Sequence, residues 1–397
     1  MDFEIAKISD NPTIEEIESE INRLKFLKTD YHNKDQGLKV LINSVYGVLG
    51  YIKFICYDKD VAESITKQSQ DVIKYTIKIF DEFFYKHWND NTELHQKLGI
   101  TKPYQVDKSD RIVNYADTDS IFVCLGKIYD GSDYDGSKTD FIFDLHKYAL
   151  DEYSKNKFED YISKYNGFKT RTYGVDIFKL ELEEIDDNTL FVAKKKYIKN
   201  PIYADGEFFD SLSKLKVKGL ESNTSAIPKW VRNKLNIIEH EVMKSGGNLD
   251  TSKMIKLLKS IKSEFQTANI EDISVIQRAN KYNENILNDT TALEFVSGLK
   301  PHIKGAGHHN FLLRNSKYGN KYGLIPSGSK VHWYYCKNGV IESFAFLTGK
   351  YPIEFAPDID MDAQFTSVFL QGVNNILKVL GVPKLNHKLI LKASFDL

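Results

Sequence analysis

An α+β fold is expected for this chain, on three observations. Apolar residues recur at steps of three and four over 14–27, 38–50 and 60–86, as in amphipathic helices. Short apolar runs flank a polar turn at 111–125, and an alternating stretch from Leu180 leads into LFVAKKKYI, both strand signals. Apolar residues make up 42% and charged residues 27% of 397, enough for a packed core spread over two or three domains.

The elements follow in order. Asn11 or Thr13 can cap a first helix, Pro12 suits its first turn, and Thr13 with Glu16 has capping-box spacing. Ile14, Ile17, Ile21, Leu24 and Leu27 mark its apolar face. A polar stretch, TDYHNKDQG, reads as a break before a second helix from about Leu38. Residues 60–86 form a long helix, 111–125 a hairpin, and 140–165 another helix. Strands follow to about 200. From Pro228 to about 295 the pattern is helical, 305–340 reads as loops with short strands, and a last helix covers 362–380 before a short tail.

Net charge hides a division. Lys and Arg number 54 and Asp and Glu 55, yet residues 1–190 carry −11, residues 191–350 carry +11 and residues 351–397 carry −1. An acidic part can hold cations and a basic part a polyanion; the plain alternative is two solvated surfaces. No apolar run reaches the roughly 18 residues that span a bilayer, and the acidic start is no secretory signal. Cys56, Cys124 and Cys336 lie far apart and make neither a disulfide framework nor a zinc spacing, which points to a reducing cytoplasm.

Three segments carry chemistry. In LKVLINSVYGVLG (38–50), Lys39, Asn43 and Tyr46 share the face opposite Leu38, Leu41, Ile42 and Val45. A cation, an amide and an aromatic ring together suit a phosphate and a flat base. Gly47 and Gly50 flank that stripe at a cost of about 1 kcal/mol in a helix interior, which makes sense if something approaches the backbone closely. Otherwise the stripe is a solvated face. Asp117 and Asp119 lie two apart at a turn between strand-like runs, and would share one side if the backbone stays extended. Paired carboxylates repel unless a cation intervenes, and oxygen-only ligands suit Mg²⁺; the bland alternative is an Asp-rich turn. Lys194, Lys195, Lys196 and Tyr197 end a strand, with Lys214, Lys216 and Lys218 further on. Such clusters suit a phosphate track, or a solvated run.

Taken together these segments resemble family B DNA polymerases. Lys39-x-x-x-Asn43-Ser44-x-Tyr46-Gly47 is similar to their fingers motif B, and Tyr115-x-Asp117-Thr118-Asp119-Ser120 to their palm motif C. Lys194-Lys195-Lys196-Tyr197 resembles the KKRY motif, with Lys where Arg is usual, and Lys216-x-Lys218-Gly219-Leu220-Glu221 the palm-to-thumb motif. The order and spacing agree over nearly the whole chain, most of all with the polymerases of T-even-type bacteriophages.

The resemblance implies an architecture: the C-terminal part of the fingers over 1–51, an antiparallel palm sheet carrying the Asp117/Asp119 hairpin over 52–220, and a mostly helical thumb over 221–397. It implies template-directed addition of dNTPs to a primer 3′-hydroxyl on primer-template DNA, with two Mg²⁺ ions, in an infected bacterial host. Lys39 would meet the triphosphate and supply a proton, and Asn43, Tyr46 and Thr118 would line the nucleotide pocket. Asp119, with Asp117 beside it, would hold the ions. Lys194, Lys195, Lys196, Tyr197, Lys216, Lys218 and Gly219 would contact DNA. Glu181 and Glu183 match acidic palm positions or are simple strand-face charges. The tail Ala393-Ser394-Phe395-Asp396-Leu397 resembles a peptide that docks on a sliding clamp.

Residues 1–38 contain no motif A, the family's other palm carboxylate, and no exonuclease domain is present. The expectation is a split polymerase, active with a separate N-terminal chain that supplies both; the alternative is a fragment of a longer chain. The rival readings are a non-catalytic DNA-binding or clamp-tethering remnant, which intact Lys39, Asn43, Asp117 and Asp119 oppose, and a reverse transcriptase, which NSxYG before YxDTDS opposes. Other features fail as sites. Asp133-Tyr134-Asp135-Gly136 lacks ligands for calcium at Gly131 and Ile142; His308 and His309 read as a surface loop; Trp230 and Trp333 read as packing residues.

Overall fold

The Thr13 side-chain oxygen accepts the Glu16 N–H at 3.2 Å, and the Glu16 carboxylate accepts the Thr13 N–H at 2.9 Å. This capping box starts α1, Ile14–Leu49. The structure is a computed structural model that describes residues 12–166, 180–280, 299–337 and 339–392. Asn11 and the tail 393–397 lie outside the described residues. The polar stretch at 29–37, expected as a break, is helical. Its residues are mostly tolerable helix formers, and ion pairs Lys34–Asp30 and Lys39–Asp35, at 2.7 and 3.0 Å, brace successive turns.

The chain forms two units: Met1–Asp135 with Asn156–Phe168, and Gly136–Lys155 with Lys169–Leu397. In the first, Asp58 caps α2 (Lys59–Glu82), which continues through a π-helical turn, Phe83–Trp88. Next come α3 (Thr92–Lys97), the hairpin strands β1 (Val113–Asp117) and β2 (Ser120–Val123), and α4 (Gly126–Gly131). Ile79, Phe84, Trp88 and Ile128 are buried at its centre, and the Trp88 indole N–H donates to the Tyr104 carbonyl at 2.8 Å. The chain then runs through α5 (Lys138–Leu145) and α6 (Asp151–Asn166); from residue 156 on α6 belongs to this unit, with the Tyr161 ring 4.7 Å from that of Tyr75.

The second unit holds an antiparallel sheet centred on β4 (Lys196–Ala204). On one side lies β3 (Glu184–Ala193); on the other lie β5 (Glu207–Phe208) and β6 (Lys216–Lys218). The helices α7 (Lys229–Lys244), α8 (Thr251–Thr267) and α9 (Ile270–Ile273) follow, then β7 (Val275–Arg278). After α10 (Pro301–Arg314) come β8 (Lys330–Tyr335) and β9 (Ser343–Phe346), which complete a three-stranded sheet in the order β7-β8-β9. The described chain ends with α11 (Met361–Phe365), α12 (Gln371–Val379) and α13 (His387–Lys392). Leu235, Leu258, Phe265, Phe365 and Phe369 share one core.

The α+β class holds: helices pack with antiparallel sheets. Three details differ from expectation. Among the described residues β1 and β2 form a sheet of their own, in the unit that does not contain β3–β6. Both strands are short, four or five residues, and no other described strand of their unit pairs with them. Val275–Arg278 is a strand, because pairing with β8 outweighs its helical surroundings. Residues 301–314 are a helix rather than loops. Gly305 serves close packing there: a Cβ would stand 2.9 Å from the Phe344 carbonyl carbon of β9.

Candidate active site

The acidic turn sits at the tip of the first unit's hairpin. Asp117 pairs with Ser120, leaving Thr118 and Asp119 as the two turn residues. Thr118 has φ +59°, a left-handed conformation that a β-branched side chain adopts only under strain. The backbone is therefore not extended, and the shared side expected of Asp117 and Asp119 does not follow from strand alternation. The Asp119 N–H donates to the Asp117 carbonyl at 2.7 Å, and the Thr118 hydroxyl to the Asp117 carboxylate at 3.2 Å. Asp119 is exposed and Asp117 half-buried. The Tyr115 and Phe122 rings meet edge to face at 5.5 Å behind the tip.

This donor set has the chemistry of a magnesium site, since carboxylate oxygens are hard ligands. It is only part of one: no cluster of three or more potential metal-ligating side chains exists among the described residues. Two carboxylates could supply part of the coordination of a hard cation.

Helix α2 connects this turn with α1. It contacts both hairpin strands, and burial pushes its Asp81 carboxyl upward against the opposing pull of the Val113 backbone. At the other end, the Tyr46 and Thr66 hydroxyls lie 2.6 Å apart. Lys39 and Asn43 are exposed on α1, with Lys39 bonded to Asp35. A Cβ at Gly47 would meet no atom within 4 Å, so nothing described in this chain fills the bare backbone beside the stripe.

The two basic motifs meet in the second unit. Lys194 and Lys195 form the turn between β3 and β4, with Lys195 at φ +61°. Pairing of β4 with β6 then sets Tyr197 opposite Lys218 and Lys199 opposite Lys216. Gly219, at φ +71°, lies directly on the turn: a Cβ there would be 2.3 Å from the Lys195 carbonyl oxygen. Tyr197 is buried, with the Lys218 ammonium 5.6 Å from its ring centroid and the Phe191 ring at 5.9 Å edge to face. The outward groups are therefore Lys194, Lys195 and Lys218.

Lys216 is occupied differently. Its ammonium lies 2.8 Å from Glu184, whose second oxygen is 2.9 Å from Lys199. Burial opposes the Glu184 charge, but these two lysines outweigh it and hold its carboxyl below the usual range. Asp186 is held far above its usual range by burial and by Glu184 beside it, while it accepts the Thr189 hydroxyl at 2.9 Å. Glu184 and Asp186 were not legible as partners of these lysines, because only strand register brings them together. Glu181 and Glu183 are exposed in the segment before β3.

Beyond this sheet, Ser222 donates to buried Glu239 of α7 at 2.5 Å, and Asn375 of α12 donates to Glu221 at 3.1 Å. Burial raises the Glu239 carboxyl to about 7, Ser222 opposes the shift, and Glu221 adds to it.

The features set aside as sites have structural roles. Asp133 accepts the Thr101 and Lys102 backbone N–H groups at 2.9 and 2.8 Å. Trp333 is buried and its indole N–H meets Gln277 at 3.0 Å; Trp230 packs on Phe265. His308 and His309 are not a surface loop: both are buried on α10, where Gly305 lets that helix press onto β9. His308 Nδ1 lies 2.7 Å from the Ser343 carbonyl, and His309 Nε2 lies 3.2 Å from that of Gly323.

Residues 16–133, which carry both the α1 stripe and the Asp117/Asp119 turn, match the family model of DNA polymerase family B. This stretch is thus similar to a region of the family B DNA polymerases. It is 24% identical over 319 residues to the DNA-directed DNA polymerase of Enterobacteria phage T4, covering 74% of this chain and 33% of the relative. It is 26% identical over 221 residues to that of Escherichia phage RB69, covering 52% and 22%. To the DNA polymerase of guinea pig cytomegalovirus it is 25% identical over 228 residues, covering 55% and 16%. The chain spans a third or less of the length of these curated relatives. No described helix is long and apolar enough to cross a membrane.

Proposed function

We propose that this chain is the C-terminal portion of a template-directed DNA polymerase, with fingers residues over 1–51, palm over 52–220 and thumb over 221–397. The observation that carries this is the strained Asp117-Thr118-Asp119 tip, which lies within the region that matches family B polymerases. Strain held at an exposed polar turn has a reason if the turn must present carboxylates in one fixed geometry.

Asp117 and Asp119 would hold Mg²⁺, which when bound supplies charge neutralisation for the attacking and leaving oxygens of nucleotidyl transfer. Lys39 meets the triphosphate and offsets charge that builds up on it. Asn43, Tyr46 and Thr118 border the nucleotide. Lys194, Lys195 and Lys218 grip the primer backbone with Lys196 beside them, Tyr197 backs Lys218, and Lys216 and Gly219 fix the strand that presents Lys218. A further carboxylate completes the cation site, in keeping with two carboxylates that make only part of one. The tail 393–397 docks on a sliding clamp.

A primer with a photoreactive 3′ nucleotide tests the assignment in the assembled enzyme. Adducts at 117–120 and 194–197 are expected; adducts confined to other segments contradict it.

A further inference from the structure

The chain turns sharply just after Lys218 and Gly219, and each residue of that turn is held by a different element. It is a 3₁₀ turn, Glu221–Asn223, preceded by buried Leu220. The Asn223 side chain donates to the Val217 carbonyl at 3.1 Å, on the strand β6 that presents Lys218. Ser222 donates to Glu239 of α7. Glu221 accepts from Asn375 of α12 at 3.1 Å. The Glu221 chain also lies across Gly372 of α12, where a Cβ would come within 3.4 Å of it. Gly372 and Asn375 are three apart and share one face of that helix. Leu220, Ile238 of α7, and Val373 and Ile376 of α12 belong to one core.

The path from α12 to Lys218 is therefore short and stiff. It runs from Asn375 through Glu221 and the turn to Asn223, and from there to the backbone beside Lys218. Close-packed interiors pass on displacement rather than absorb it. The Glu221 charge finds little use in this arrangement. Its second oxygen, Oε2, is buried and has no hydrogen-bond partner among the described residues, which is costly for a carboxylate. What the side chain does make is the bond to Asn375.

We propose that Glu221 is a positioning residue, whose bond to Asn375 fixes Lys218 relative to α12. The grip of Lys218 on a DNA phosphate then depends on a neutral side chain of another helix. This rests on the reading of Lys218 as a phosphate contact and adds the residues that aim it. The test is fluorescence anisotropy of the full chain with a labelled primer-template duplex, below the melting temperature of every variant. Asn375→Ala should weaken binding about threefold, and Glu221→Ala equally. The two together should be no weaker than either alone, because they remove one bond. Glu221→Gln keeps an acceptor for Asn375 and should bind within about twofold of wild type. With Lys218→Ala already present, Asn375→Ala should change affinity by less than about 1.5-fold, since the group it aims is gone. An equal loss with and without Lys218 would mean a general effect on the fold and overturns the proposal. Glu221→Gln binding as weakly as Glu221→Ala overturns it too, since the charge would then matter rather than the bond. Should Lys218→Ala weaken binding while Asn375→Ala does not, the proposal fails and the phosphate contact stands. Lys218→Ala binding as wild type does refutes the phosphate contact, and the proposal with it.

Discussion

A side-chain carbon at Gly219 would stand 2.3 Å from the carbonyl oxygen of Lys195. Two basic segments some twenty residues apart are thereby locked into one surface: the turn that carries Lys194 and Lys195, and the strand that carries Lys218. Gly219→Ala should cost more than about 1 kcal/mol, from the clash and the positive φ together. It should also weaken primer-template binding although it removes no charge. Thermal melting and fluorescence anisotropy read the two effects; unchanged values for both would separate the segments.

Lys216 and Lys218 should part company on substitution. Lys218→Ala should lower DNA affinity and reduce the slope of log affinity against log salt by about 1. Lys216→Ala withdraws a partner from Glu184, which is half-buried, so its main effect should be a lower melting temperature. A salt titration of both variants shows which lysine meets phosphate.

Thr118 should be a stability sacrifice. Thr118→Gly removes the left-handed strain, offset in part by the entropy of glycine, for a net gain of up to about 1 kcal/mol. Primer extension by the assembled enzyme should fall at the same time. A lower melting temperature for Thr118→Gly would mean that the turn is not strained.

Glu239 should make stability depend on pH in a defined direction. Its folded pKa, about 7, lies above the ordinary 4.5, so the folded state holds the proton more tightly. Its contribution is full below pH 4.5 and is lost as pH rises through 7. Burial lowers the pKa of His302, His308, His309 and His332, so their contribution has the opposite sign and is lost as pH falls below 6.5. Glu239→Gln should therefore match wild type near pH 5 and melt several degrees higher at pH 8. Equal melting at both values contradicts a proton held on Glu239.

Local chemistry made much of this molecule readable in advance. The Thr13–Glu16 capping box, the hairpin about Asp117 and the helix after Asp58 each depend on residues close in sequence. What escaped depends on partners far away. The 29–37 stretch looks like a break because its residues are polar, yet polarity does not stop a helix that ion pairs brace. His308 and His309 looked like a loop because they are adjacent and not spaced for one helix face, yet Gly305 lets their helix pack on β9 and bury both. Glu184 and Asp186 gave no signal, since strand register alone sets Lys199 and Lys216 around them.

The central proposal is that the Asp117/Asp119 tip is one wall of a magnesium-dependent polymerase centre. Primer extension with Mg²⁺ tests it most directly, using the assembled enzyme with and without Asp119→Asn. The account predicts extension by the wild-type enzyme, with Asp119→Asn reducing the rate at least about 10³-fold, or ~4 kcal/mol of barrier. Extension by the Asp119→Asn enzyme at the wild-type rate would contradict it.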